Sequence, residues 1–252
     1  MVVSRVRLGR SRVRLWALLL AMLAADAAAA GQAEEFLIAN ASDRYDFLLK
    51  FTESPCEVTA PSDYATCEGA GVVEVRRKGQ SAPLQVLEPV NLFVSFSGES
   101  VPLVNSARRY DYQGVINVGD FNFDGEEDFA LQDGNNGSYG GPSYQVYLYA
   151  PAASRFELSQ PMTDLITETL GFFEVDTAAR RLRTAAKSGC CYHEYVAYEV
   201  VDNVPKPVHR LIEDALGGAD GEDKMTVTEE TLVRGKWRRK SRRVDIEPYY
   251  AP

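Results

Sequence analysis

No run of apolar residues in this sequence reaches the roughly 20 that a membrane-spanning helix needs. The nearest approach, "ALLLAMLAA", is too short and lies within residues 1–30, so no membrane insertion is expected. Histidine is scarce as well, with only His193 and His209 in 252 residues. No GxSxG and no HExxH occurs, which removes the nucleophile elbow and the common zinc hydrolase from consideration. Acids are plentiful, but no pair stands out as the acid and nucleophile of a glycosidase, and the chain reads as a non-enzyme. Tandem repeats and low-complexity tracts are also missing.

The first thirty residues do not belong to the fold. "MVVSRVRLGRSRVRLW" holds Arg5, Arg7, Arg10, Arg12 and Arg14 without an acid, and "AAAAGQA" supplies small residues for cleavage after Ala30. This is the pattern of a secretory signal. No cysteine stands near the cleavage point to carry a lipid, so a free periplasmic or extracellular protein is expected. Residues 31–252 keep 22 basic against 35 acidic side chains, a net charge of −13. Such a chain repels nucleic acid and anionic membrane surfaces and attracts cationic proteins or metal ions.

Four cysteines in an exported chain point to disulfides. Cys56 and Cys67 bracket the polar stretch "CEVTAPSDYATC" and can close it. Cys190 and Cys191 are adjacent, so they either bridge each other or reach elsewhere. A zinc site built on them with His193 lacks an evident fourth ligand and requires thiols.

Short strand-like runs separated by Gly, Pro, Asp, Asn and Ser recur along the chain: "YDFLLKF", "GVVEVRRKG", "APLQVLE", "LFVSFS", "GVINVGD", "EDFALQDG", "EYVAYEVVD", "KPVHRLIED" and "MTVTEETLV" among them. This rhythm predicts an all-β protein of antiparallel sheets, as a sandwich or a small propeller-like array. In "SYQVYLY", Tyr144, Val146 and Leu148 share one face, and Gln145, Tyr147 and Tyr149 share the other. The pattern suggests a sheet covered on one side. "MTDLITETL", residues 162–170, has the only plausible helical period, so at most one or two short helices are expected. A composition shift near residue 110 suggests an N-terminal β portion, 31–110, and a second β domain, 111–252.

One turn concentrates oxygen ligands. In "GDFNFDGEEDFAL", Asp120, Asn122, Asp124, Glu126 and Asp128 occupy positions 1, 3, 5, 7 and 9 of a loop with Gly125 at position 6. That is the order in which an EF-hand loop presents oxygens to calcium, position 7 acting through its backbone carbonyl. Position 12 is Leu131 rather than the bidentate Glu, and strands rather than helices flank the loop. The reading is a structural calcium site within a β-hairpin. An acidic solvated turn is the plain alternative, since Asp, Asn and Gly favour turns on their own.

From this loop onward the chain resembles a known family. "VGDFNFDGEEDFAL", "DGNNGSYGGPSYQVYLY", "KSGCCYHEYVAYEVV" and "RGKWRRKSRRV" follow one another as they do in secreted bacterial immunity proteins. Those proteins protect against peptidoglycan-cleaving effectors of bacterial-killing type IV secretion systems. The resemblance covers about residues 112–245 and implies a topology similar to the periplasmic inhibitors of i-type lysozymes. It also implies bound calcium and a peptidoglycan hydrolase, a muramidase, as partner. Many relatives look lipid-anchored, whereas this chain has no lipobox, and some 80 residues before residue 112 fall outside the resemblance.

A plug for a muramidase cleft needs a rigid protruding tip. "NNGSYGGPSY" supplies one: Gly137, Ser138, Tyr139 and Gly140 form the bend and Tyr139 its apex, with Pro142 stiffening the exit. Lys187, Ser188, Tyr192 and His193 form a second candidate contact surface, from which Lys187 or Ser188 reaches toward a catalytic carboxylate. The competing function is a calcium-stabilised extracellular binding or adhesion module with no enzyme target. Its DxNxDG turns normally recur, and here the motif appears once.

Overall fold

The computed structural model describes residues 34–52, 56–58, 64–97, 114–216 and 223–251, which form antiparallel sheets with two short helices. The expected leader and the expected boundary near residue 110 both lie outside the described residues. Five strands make the first sheet: β1 (Glu35–Ile38), β2 (Tyr45–Phe51), β3 (Cys56–Val58), β4 (Tyr64–Arg77) and β5 (Pro83–Ser97). Strand β4 carries β2 and β3 along one edge and β5 along the other. The sequence suggested two strands where β5 runs unbroken through Pro89. The pairing shifts register between Gly71–Val90 and Val73–Leu87, so the proline falls at a bulge, where a missing N–H is tolerated.

The second sheet is a four-stranded meander of β6 (Ile116–Gly119), β7 (Asp128–Gly134), β8 (Ser143–Ala150) and β9 (Arg155–Leu158). Helix α1 (Gln160–Glu168) follows it. The third sheet is a six-stranded meander in chain order: β10 (Glu174–Asp176), β11 (Arg181–Ser188), β12 (Tyr192–Val201), β13 (Val204–Asp214), β14 (Lys224–Val233) and β15 (Lys236–Asp245). It ends in the short helix α2 (Ile246–Tyr250).

Alternation in β2 turns Tyr45, Phe47, Leu49 and Phe51 inward, where they join β7, β8 and β9 in one core. Phe129 is its hinge-point, with ring centroids 4.9 Å from Phe47, 5.0 Å from Tyr147 and 4.8 Å from Phe156. Both partner sheets must deform to fill the space it occupies. Phe129→Ala is therefore expected to destabilise the fold by about 3–5 kcal/mol, read as a lower urea midpoint at unchanged slope.

The other face of the second sheet is buried too. Ala130, Tyr144, Val146 and Leu148 pack with Met162, Leu165 and Ile166 of α1 and with Phe121, Phe172 and Phe173. The sheet is thus covered on both sides, contrary to the single covered face suggested by the alternation. Tyr147 and Tyr149, on the face shared with Gln145, place their rings in the first core.

On the first sheet, Glu74 accepts hydrogen bonds from Lys50 (2.5 Å) and Arg76 (Nε, 3.1 Å). The Lys50 ammonium first, then the Arg76 guanidinium, hold its carboxyl below the usual carboxylate range. A depressed folded-state pKa gives stability that is present above the unfolded value, about 4.3 for Glu, and lost as pH falls through the folded one. Glu74→Gln should accordingly lower the melting temperature at pH 6, and the difference from the wild type should shrink as the pH falls below the unfolded value and through the depressed folded one.

Candidate functional site

The acidic turn between β6 and β7 is shaped by its own carboxylates. Asp120 accepts the backbone N–H groups of Asp124 and Gly125, each at 2.9 Å, and Asp124 accepts that of Glu126 at 2.8 Å. Asn122 accepts the Asp124 N–H at 3.1 Å. Gly125 sits at φ +93°, a conformation that glycine adopts without steric cost. Phe123 also has a positive φ, 62°, while its ring is buried in the second core. That anchored ring holds the turn to the protein body.

Asp128 behaves differently from its neighbours. It is fully buried at the start of β7, and its two oxygens accept N–H groups from Phe121 (2.8 Å) and Tyr149 (2.9 Å). Burial pushes its carboxyl up to about 7, against the lowering effect of those two amides. Asp120, Asp124 and Asp128 do not bring one oxygen each within 4.8 Å of the others, because Asp128 is turned to amides of the turn and of β8. The exposed part of the loop presents the oxygens of Asp120, Asn122 and Asp124.

Residues from both other sheets hold this turn. Arg44 pairs with Glu126 at 2.8 Å and the Ser42 hydroxyl donates to Glu127, both from the β1–β2 connection. From the third sheet, Arg180 donates to the Phe123 carbonyl, and Asn122 donates to Asn203 at 3.0 Å. These partners lie 57 to 85 residues away in sequence, so no local pattern announces them. Only Asn203 carries a cue, since the Asp202–Asn203 pair has the positive φ values of a two-residue hairpin turn.

At the far end of β7, roughly 20 Å along the strand by its rise, lies the glycine-rich loop. Gly137 N–H donates to the Gly141 carbonyl at 2.9 Å and Gly140 N–H to the Gly137 carbonyl at 3.0 Å, closing a tight bend. A Cβ on Gly137 would meet the carbonyl oxygens of Gly141 and Pro142 at 2.9 Å, so the closure admits no side chain there. Tyr139 stands at the apex, 65% exposed, with φ 58° and ψ 26°. Ser138 Oγ lies 3.5 Å from the Thr167 carbonyl at the end of α1.

The two surfaces nominated separately by the sequence meet here. The Gly189 N–H donates to the Tyr139 hydroxyl at 2.9 Å, and Lys187 Nζ lies 4.7 Å above the centroid of the Tyr139 ring. Both partners belong to the end of β11 and the turn that follows it. A tyrosine in a left-handed conformation on a glycine-rich loop would ordinarily sample many positions; two contacts from another sheet fix this one. Ser188 pairs with Tyr192 and Lys187 with His193 across the β11–β12 hairpin.

Cys56 and Cys67 bridge across the β3–β4 pair, and Cys190 and Cys191 bridge each other in the β11–β12 turn. Neither of the latter is a thiolate, so the zinc reading with His193 has no sulfur ligand. His193 Nδ1 instead lies 3.9 Å from Glu213, a buried carboxylate that also accepts the hydroxyls of Tyr249 (2.9 Å) and Tyr250 (2.6 Å). His193 and Tyr192 are half-buried and part of the sheet. Among the described residues, no helix is long and apolar enough to cross a membrane.

No family model and no curated protein matches the chain. A solved structure does: it is described as that of a Xanthomonas type IV secretion system related protein. The identity is 27% and the TM-score 0.63, over 84% of this chain and 96% of the other. Residues 111–252 alone cannot supply 84% of 252 residues, so the likeness extends well into the N-terminal portion, beyond the reach of the sequence motifs. The chain is thus similar, in sequence and across most of its fold, to a protein associated with type IV secretion.

Proposed function

We propose that this chain is a periplasmic immunity protein that binds a peptidoglycan hydrolase, a lysozyme-like muramidase, and occludes its active site without catalysing a reaction itself. The observation that carries the reading is the exposed Tyr139 ring, its hydroxyl held by the Gly189 N–H and one face covered by Lys187. A muramidase cleft is a groove with a pair of catalytic carboxyl groups. A rigid aromatic tip fills such a groove at low entropic cost, and an adjacent ammonium complements its carboxylates. The similarity to a type IV secretion system related protein supports this setting. The net charge of −13 over residues 31–252 favours fast association with a cationic hydrolase at low salt.

The residues of the acidic turn suit calcium in the same reading. Asp120, Asn122 and Asp124 offer side-chain oxygens on the exposed side and Glu126 its backbone carbonyl, while Asp128 supports the loop from below through the Phe121 and Tyr149 amides instead of facing the other oxygens. The backbone amides of residues 124, 125 and 126 brace those carboxylates. A cation there would offset the repulsion between Asp120 and Asp124 and lock a turn to which all three sheets already contribute contacts.

Inhibition is the test. The purified protein, in millimolar calcium, should abolish peptidoglycan hydrolysis by its cognate muramidase at one-to-one stoichiometry. Saturable binding to glycans or cell walls with no effect on any muramidase would instead favour the adhesion module.

A further inference from the structure

Strand β15 contradicts the charge of the chain that carries it. Six of its ten residues are Lys or Arg, in a protein of net charge −9. Its side chains from Lys236 to Arg243 are exposed, and among the described residues it pairs with β14 alone. Among the described residues, one backbone edge of the third sheet is therefore open and lined with cations.

The cations occupy both faces of the strand. Lys236, Arg238, Lys240 and Arg242 fall on one alternating set, Arg239 and Arg243 on the other with Trp237. Acids across the β14–β15 ladder meet only part of this charge. Glu230 is shared between Arg210 (3.5 Å) and Arg239 (3.8 Å), and Glu229 lies 3.2 Å from His209. Lys236, Arg238 and Lys240 have no carboxylate within 4.0 Å among the described residues. Arg242 stacks on Tyr249, 5.5 Å from its ring centroid.

A few lysines suffice to keep an edge strand from pairing with its own kind. That role does not account for cations on both faces. A flat anionic surface would meet the charges of one face, whereas a strand laid along the open edge places its side chains beside both. We infer that the β15 edge binds an extended acidic segment of another protein as a seventh strand, by backbone pairing along the edge and alternating charge pairs on the two faces. This surface is separate from the Tyr139 loop, so its occupant is a second partner and its test is independent of hydrolase inhibition.

The probe is a fluorescein-labelled ten-residue peptide with six glutamates spread over both alternating sets and Thr or Val between them. Fluorescence anisotropy should show saturable binding to the purified protein, together with slowed amide hydrogen exchange along β15. The same peptide N-methylated at every second residue keeps its charge but loses edge donors, and should bind at least tenfold more weakly. Arg238→Thr with Lys240→Thr, both exposed strand-compatible changes, should weaken binding about five- to tenfold, while Lys206→Thr on β13 should not. Equal binding of the N-methylated peptide, no binding of the parent, or preferential binding to vesicles containing phosphatidylglycerol would each overturn the inference.

Discussion

Tyr139→Ala is expected to weaken binding to the cognate muramidase about 30-fold or more, since truncating an aromatic anchor at the centre of an interface costs about 2 kcal/mol or more. The loss should appear in the dissociation rate, because a plug resists leaving more than it accelerates arrival. The protein should otherwise be unharmed: the ring is 65% exposed and lies in neither hydrophobic core, so the melting temperature should hardly move. Tyr139→Phe separates two parts of the effect. It keeps the ring under Lys187 but removes the oxygen that accepts the Gly189 N–H, freeing the tip to move. An intermediate loss, between wild type and alanine, is the expected result. Unchanged affinity in Tyr139→Ala, measured by surface plasmon resonance at fixed salt and calcium, would remove Tyr139 from the interface and with it the plugging mechanism.

How much of this was visible in the sequence depends on distance along the chain. The division of β8 into a Tyr144–Val146–Leu148 face and a Tyr147–Tyr149 face was legible, because side chains alternate with a strict period of two. That both faces are buried was not, since covering them takes α1 from one side and β2 from the other. The Cys56–Cys67 bridge followed from a short loop between two cysteines. The vicinal bridge of Cys190 and Cys191 was only one of the open choices, as sequence spacing does not rank them. The acidic turn was legible as a pattern of oxygens, but not the inward turn of Asp128, which depends on amides of β8 and the turn itself. Least legible was the meeting of Tyr139 with Lys187 and Gly189, 48 to 50 residues further along the chain. Each stretch looked like a loop in its own right, and only the packing of the third sheet against the second joins them.

Calcium is expected to raise the melting temperature of the wild-type protein by about 3–10 °C at 10 mM. A structural site with a dissociation constant on the order of 10⁻⁴ to 10⁻³ M contributes about 1.4–2.7 kcal/mol at that concentration, and a domain of this size gains about 2–4 °C per kcal/mol. Magnesium, which demands tighter octahedral geometry, should give less. Sodium chloride at equal ionic strength isolates screening, because repulsion between Asp120 and Asp124 would be relieved by any salt. The variant Asp120→Ala with Asp124→Ala loses oxygens that also accept the amides of residues 124, 125 and 126, and should melt lower even without calcium. The informative quantity is therefore the increment on adding calcium, not the starting temperature. It should vanish in the double variant and persist in Glu126→Gln, whose backbone carbonyl is unchanged although its side chain loses the ion pair to Arg44. An equal increment in wild type and double variant, or one matched by sodium chloride, would reduce the turn to a solvated acidic loop. The Tyr139 plug would survive that result, since its contacts lie at the opposite end of β7 and owe nothing to a cation.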